Sequence, residues 1–252
     1  MRKSKTLARI RKGETVRMCC LGHYMPFFVK HAAHAGFDCI WLDMEHRGFT
    51  DRDVQALLVQ SHLHDIDIMV RPTTLEKTAL YRYLEDGAAG LMIPHVNTAE
   101  KARMLVDAVK FPPLGDRGLD GAGLDADYFT GDVDAFVKHA NQETFLVVQI
   151  ETPQSLKNLD EITSVPGVDG LFIGPGDMSL RLKLGPSEIT MESTYELVAD
   201  ACKRHGKAWG APAATPEILK RRQQQGGQLL NHGGDFGAIL RMLKECAAAF
   251  EQ

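Results

Sequence analysis

FLVVQIE (Phe145–Glu151) and VDGLFIGPGD (Val168–Asp177) are short apolar runs, and each stops at a carboxylate. Glu151 closes the first, and Asp177 follows the second after a Gly-Pro-Gly turn. The two acids stand 26 positions apart, about the length of one strand–helix–strand unit. If the runs are neighbouring parallel strands, both carboxylates emerge at one edge of the sheet. Two convergent acids at the carboxyl end of a parallel sheet suit a hard divalent cation.

Working outward, the same kind of run recurs along the chain. Val16–Leu21, Cys39–Asp43, Ile66–Arg71 and Gly90–Pro94 precede it, and Ala208–Pro212 and Leu229–His232 follow. Gly170–Gly174 is the strand core of the second quoted stretch. Helical patterns separate the runs: 5–13, Pro26–Ala35, 51–63, Leu75–Asp86, Thr98–Lys110, one before Lys138, about 187–205, Pro216–Gln225 and Phe236–Phe250. Strict alternation implies an all-parallel sheet. Eight repeats of roughly 30 residues predict an α/β fold, a (β/α)8 TIM barrel with a short N-terminal helix. An open doubly wound sheet is the alternative. No linker interrupts residues 1–252, so one domain is expected. The longest irregular stretch, Phe111–Gly123, carries two prolines and four glycines, and a loop of that length suggests a functional role.

Composition narrows the function classes. The 252 residues are 44% hydrophobic and 25% charged, with a net charge of −4. That balance offers no footprint for nucleic acid. The basic start (Arg2, Lys3, Lys5, Arg9) lacks a signal-type apolar core and is read as a solvated helix face. No run reaches the roughly 18 apolar residues of a membrane span. Five cysteines without CxxC or zinc spacing argue against a disulfide framework and for a reducing, cytoplasmic setting.

In a barrel, chemistry gathers at the carboxyl ends of the strands. Those positions hold Asp43, Glu45 and His46 after strand two, and Arg71 on strand three. Strand five carries Gln149 and Glu151, strand six leads to Gly174, Gly176 and Asp177, and strand eight to His232. Gln149 and Glu151 share one face of their strand. No lysine falls at a strand's carboxyl end, and Lys207 begins strand seven. That disfavours a Schiff-base route.

The segments FDCIWLDMEH, VRP, LEDGAAGLMIPHVNTAEKA, KFPPLGDRG, VVQIET and GVDGLFIGPGDMS, in this order, resemble the HpcH/HpaI family of metal-dependent pyruvate aldolases. The resemblance implies a lyase that reversibly cleaves a 4-hydroxy-2-oxo acid to pyruvate and an aldehyde through an enolate. It also implies Mg2+ or Mn2+, with Co2+ a third candidate, and a homo-oligomer, a hexamer exchanging its last helix. By the same resemblance Glu151 and Asp177 match the metal ligands, His46 the proton shuttle and Arg71 the enolate-stabilising cation. Gly176 and Asp177 match the turn holding the carboxylate of pyruvate, and Gln149 and Asp43 match residues beside the metal. Glu45 is read as orienting Arg71 or His46. The residue types suit this chemistry independently: a dication and an arginine both favour negative charge on a keto oxygen, and a histidine moves protons near neutral pH.

Three departures from the family pattern stand out. Glu85 replaces the aspartate that pairs with the histidine, with Asp86 as the alternative. Asp125 falls where diacid-cleaving members carry an arginine, which argues against an acidic aldehyde such as succinate semialdehyde. A small residue near Cys20 replaces an aromatic, and His23 and Tyr24 could restore the bulk. His31 and His34 are expected to be a packed or solvated pair. The turn His232–Gly237 is read as packing, because no basic residue accompanies it in the sequence. The competing functions are a citrate-lyase-β or malyl-CoA type lyase, and a keto-acid-binding barrel without catalysis.

Overall fold

The computed structural model describes residues 2–184 and 188–251. Eight parallel strands close on themselves in sequence order. They are β1 Val16–Leu21, β2 Cys39–Asp43, β3 Asp67–Arg71, β4 Gly90–Ile93, β5 Phe145–Ile150, β6 Gly170–Ile173, β7 Ala208–Pro212 and β8 Leu229–Gly234. The helices are α1 Lys5–Arg11, α2 Pro26–His34, α3 Asp51–Leu63, α4 Lys77–Glu85, α5 Ala99–Val109, α6 Val133–Glu143, α7 Pro153–Lys157, α8 Leu159–Thr163, α9 Pro175–Lys183, α10 Met191–His205, α11 Pro216–Gln224 and α12 Asp235–Ala248. The expected (β/α)8 barrel is therefore the fold. No helix among the described residues is long and apolar enough to cross a membrane.

Strand alternation sorts the core into two layers. One set of side chains, including Leu42, Ile68, Leu91, Val148 and Leu171, packs beneath the helices. The other set, including Met18, Trp41, Met69, Met92, Phe145 and Phe172, fills the barrel interior. Phe145 needs room there. A Cβ on Gly90 would lie 2.3 Å from its ring, so β4 has a glycine opposite the largest inner side chain of β5.

The N-terminal helix and its flanks keep Lys3, Arg11 and Lys12 exposed, as expected of a solvated face, while the other side of the helix plugs the barrel. Leu7 of α1 is buried in the inner layer. Ser4 caps the helix, and its hydroxyl donates to Asp67 at 2.7 Å, while the Thr6 N–H donates to the same carboxylate oxygen at 2.8 Å. Arg2 pairs with the other oxygen. Inward-facing Asp67 thus pins α1 across the amino-terminal end of the barrel.

Several boundaries differ from expectation. The Gly-Pro-Gly turn opens directly into α9, with Gly174 as its cap and Pro175 in the first position, where proline's fixed φ favours a helix start. The helix expected before Lys138 spans that residue, as α6. The one expected from about 187 begins at Met191, capped by Thr190, and residue 187 itself lies outside the described residues.

Candidate active site

Strand ends and the loops after them bring the polar residues to one rim. Arg71, on the inward face at the end of β3, pairs in register with Asp43 at the end of β2. Its Nε donates to Asp43 Oδ1 at 2.9 Å, and a second nitrogen lies 2.8 Å from Oδ2. Both side chains are buried, and this two-pronged contact fixes the guanidinium plane. The guanidinium also lies over the Trp41 ring at 4.6 Å. Its third nitrogen reaches Glu45 at 3.0 Å and Gln149 Oε1 at 3.3 Å. Asp43 thus clamps Arg71, and the same carboxylate accepts the Glu45 N–H at 3.1 Å, shaping the loop that carries His46.

Glu45 stands between Arg71 and His46, whose Nε2 lies 3.5 Å from it. The His46 side chain is 57% exposed, so it faces the mouth of the barrel rather than its core. Sequence reasoning did not single out His95. It follows β4 with a left-handed φ of 54°, and its backbone N–H donates to Glu151 Oε1 at 2.6 Å. The ring Nδ1 lies 3.0 Å from the same oxygen. The local signal is a histidine directly after Pro94 at a strand's carboxyl end, but its partner Glu151 lies 56 positions away.

Glu151 is only 3% exposed. Burial pushes its carboxyl above the ordinary range. The His95 N–H and ring act in the opposite sense, and the charges of Asp177 and Glu45 push it further up. Gln149 donates to Glu151 Oε2 at 3.4 Å. A Cβ on Gly174 would meet that oxygen at 2.3 Å, so the first glycine of Gly-Pro-Gly makes room for the Glu151 carboxylate. Asp177 sits in the first turn of α9 and pairs with Arg181 one turn on. Among the described residues no group of three or more His, Cys, Asp or Glu side chains could hold an ion. The two carboxylates that converge here are Glu151 and Asp177, close enough for the charge of Asp177 to act on Glu151.

Three expectations change. Glu85 ends α4, which runs antiparallel to the strands, so it lies at the rim opposite His46 in the same chain. Its charged neighbours are Arg117, Asp125, Asp120 and Asp86. Asp86 accepts from Gln55 at 3.1 Å and does not meet His46 either. Asp125 pairs with buried Arg117 at 2.6 Å and lines a cleft with Arg2, Ser4 and His62 at the amino-terminal end. It therefore does not face the Arg71 cluster of its own chain, and the argument against an acidic aldehyde loses its basis. The His232–Gly237 turn does have basic company: Arg47 and Arg241 line the cavity beside it. Lys207 lies at the opposite rim as expected, donating to the Val168 carbonyl at 2.7 Å. Cys19 faces the helices and Cys20 the interior, and burial pushes both thiols up to about 12, so they form no redox pair.

Comparison with known proteins agrees with this geometry. Residues 18–238 match the family model described as HpcH/HpaI aldolase/citrate lyase. The chain is 33% identical over 248 residues to a hydroxypyruvate/pyruvate aldolase of Pseudomonas aeruginosa, covering 96% of this chain and 91% of that protein. It is also 33% identical over 246 residues to a 2-keto-3-deoxy-L-rhamnonate aldolase of Salmonella typhimurium, covering 96% and 91%. Among solved structures, the HpcH/HpaI aldolase from Desulfitobacterium hafniense DCB-2 superposes with a TM-score of 0.91 at 30% identity, covering 98% of this chain and 96% of that one. The inward Arg71–Asp43 clamp, the buried Glu151 facing Asp177, and a match over most of the length lead to one assignment: the chain belongs to the HpcH/HpaI aldolase/citrate lyase family.

Proposed function

We propose that this protein is a carbon–carbon lyase that splits a 4-hydroxy-2-oxo acid into pyruvate and an aldehyde and runs in reverse. The observation that carries the reading is the rim cluster itself. A buried, clamped guanidinium faces a buried carboxylate, with an exposed histidine between them and solvent.

Glu151 and Asp177 are the residues that would hold a divalent cation, Mg2+ or Mn2+ with Co2+ as a third candidate. The fit rests on the donor set: two hard carboxylates, one of them buried, with the charge of Asp177 raising the cost of charge on Glu151. Such a cation supplies positive charge that favours the enolate form of pyruvate. Arg71 supplies a second fixed charge, already oriented by Asp43 and Trp41 before substrate arrives. Gln149 steadies Arg71 on one side and Glu151 on the other. The backbone N–H groups of Gly176 and Asp177 lie in the first turn of α9, where no intrahelical acceptor exists, and they are suited to bind the carboxylate of pyruvate. His46 takes the proton from the C4 hydroxyl during cleavage and returns it during synthesis.

Glu85 would orient His46 only from a second copy, since the two lie at opposite ends of one barrel. An oligomer, a hexamer exchanging its last helix, is supported by α12, whose Phe236, Leu240, Met242 and Leu243 are all exposed. The free thiols support a cytoplasmic setting.

Incubation with pyruvate in D2O tests the reading. Methyl-proton exchange should require a divalent cation, stop in EDTA and be lost in Glu151→Gln. Full exchange in EDTA, or in that variant, would sink it.

A further inference from the structure

The N–H that His95 gives to Glu151 belongs to the Pro94–His95 peptide, in the loop between β4 and α5. That peptide is planar and trans, so its carbonyl points away from its N–H. The N–H end donates to Glu151 Oε1 at 2.6 Å. The carbonyl end accepts from Lys101 Nζ at 3.4 Å. One peptide plane is thus held between the carboxylate on one side and a lysine of α5 on the other. Lys101 Nζ also donates to the next carbonyl, that of His95, at 3.0 Å. The two carbonyls flank the left-handed His95, so a single ammonium fixes both peptides around a backbone conformation that side chains rarely adopt.

The rest of the loop is tied down as well. Val96 is buried beneath the helices. The Asn97 side chain accepts the Thr152 hydroxyl at 2.6 Å, and the Asn97 carbonyl accepts from Asn158 Nδ2 at 2.7 Å. Thr152 is the residue after Glu151, so loop and ligand strand are joined at a second point.

Lys101 occupies an unfavourable position by local rules. Thr98 caps α5 and accepts the Lys101 N–H at 3.1 Å, which puts the lysine in the first helical turn, where the helix dipole favours acids. The side chain is half-buried. Burial pulls its ammonium down, and the charge of Glu151 acts in the opposite sense. Among the described residues its contacts are the two carbonyls and no carboxylate. A cation placed behind a cation site is a further local conflict, and such conflicts gather where a site needs the group.

We propose that Lys101 is a positioning residue of the cation site: it holds the Pro94 and His95 carbonyls so that the His95 N–H orients the Glu151 carboxylate. Lys101 has this role only if Glu151 is a cation ligand, the reading proposed above. It acts through one peptide bond and not by contact with substrate.

Charge and position give opposite signs. A lysine acting through its charge repels a dication, so its removal would tighten cation binding. A lysine that orients the ligand makes its removal weaken binding, by about tenfold or more, as for other groups that support a ligand.

Mn2+ titrated into the metal-stripped, full-length protein at about pH 8, where carboxylates are ionised, separates the two, with the free ion followed by its EPR signal. Lys101→Met should raise the Kd about tenfold or more. Lys101→Arg keeps the charge and can donate to both carbonyls, and should stay within about threefold of the unmodified protein. Tighter or unchanged binding in Lys101→Met overturns the proposal, and so does an arginine variant as weak as the methionine one. Should Lys101→Met not fold, Lys101→Gln takes its place. Its amide is too short to reach both carbonyls, so the Kd should rise at least about threefold, and an unchanged or lower Kd overturns the proposal. Glu151→Gln separates the two levels. If the unmodified protein does not bind Mn2+, or binding survives in Glu151→Gln, the ligand reading falls and the positioning role with it. Binding lost in Glu151→Gln but unmoved in Lys101→Met sinks only the positioning role.

Discussion

The His95 backbone N–H donates to Glu151 Oε1 at 2.6 Å, and the imidazole of the same residue lies 3.0 Å from that oxygen. One residue therefore grips the buried carboxylate twice, from a backbone conformation that side chains rarely adopt. The backbone half of the grip survives substitution, and the ring half does not. We predict that His95→Asn, which tolerates the left-handed backbone, slows pyruvate methyl exchange about tenfold while preserving the fold. Exchange at the unmodified rate would show that the ring contributes nothing.

Arg71 is held by Asp43 through two contacts. Lysine carries the charge but cannot reproduce the fork. Arg71→Lys should therefore lower kcat by about a hundredfold or more with a smaller change in KM. Asp43→Ala should cost up to about 3 kcal/mol of stability in urea, less than an isolated buried pair, because Glu45 also faces the guanidinium. A lysine variant with ordinary turnover would remove Arg71 from the chemistry.

Burial raises the carboxyl of Glu151 in the folded protein. A raised folded pKa contributes stability that is fully present below the unfolded value, near 4.5, and is lost as pH rises through the folded value. A cation that binds the ionised carboxylate restores that loss only above it. The thermal shift given by Mn2+ should accordingly grow as pH rises above the ordinary carboxylate range, and vanish in Glu151→Gln. A shift independent of pH in this window would argue against Glu151 as a ligand.

Asp38 offers a second pH test, remote from the rim. Burial raises its carboxyl, but hydrogen bonds and charge from Arg17, with Arg9 adding its own, bring it below the ordinary range. A lowered folded pKa contributes stability present above the unfolded value, near 3.8, and lost as pH falls through the folded one. Asp38→Asn should flatten the acid limb of the stability curve below about pH 4. An unchanged acid limb would refute this assignment.

Inside the barrel, Gly90 and Phe145 share one space. Phe145→Ala should cost about 3–5 kcal/mol, and Gly90→Ala about 1–3 kcal/mol by overpacking. Combined, they should cost less than their sum, because the methyl group enters the cavity left by the ring. Strict additivity in urea unfolding would contradict the packing described.

Much of this architecture is local information. Strand and helix periods, and the carboxyl-end positions of Asp43, Arg71, Glu151 and Asp177, depend on side-chain alternation and chain direction, which neighbouring residues set. The order of strands around the barrel follows from the same strict alternation. Partnership across space is not local. Whether Arg117 or an aldehyde faces Asp125, whether Glu85 is near His46, and whether a cation accompanies the His232–Gly237 turn depend on which rim each loop folds toward. Arg47 and Arg241 are 194 positions apart in the chain and meet only because closure sets β1 beside both β2 and β8. His95 escaped notice for the same reason, since its importance lies in Glu151, a residue on the next strand. The sequence by itself determined a (β/α)8 barrel with two acids, an arginine and a histidine at its carboxyl rim. The tertiary structure alone decided which charges are already neutralised and which still face an open cavity, because charge balance is a property of distances that only the closed barrel creates.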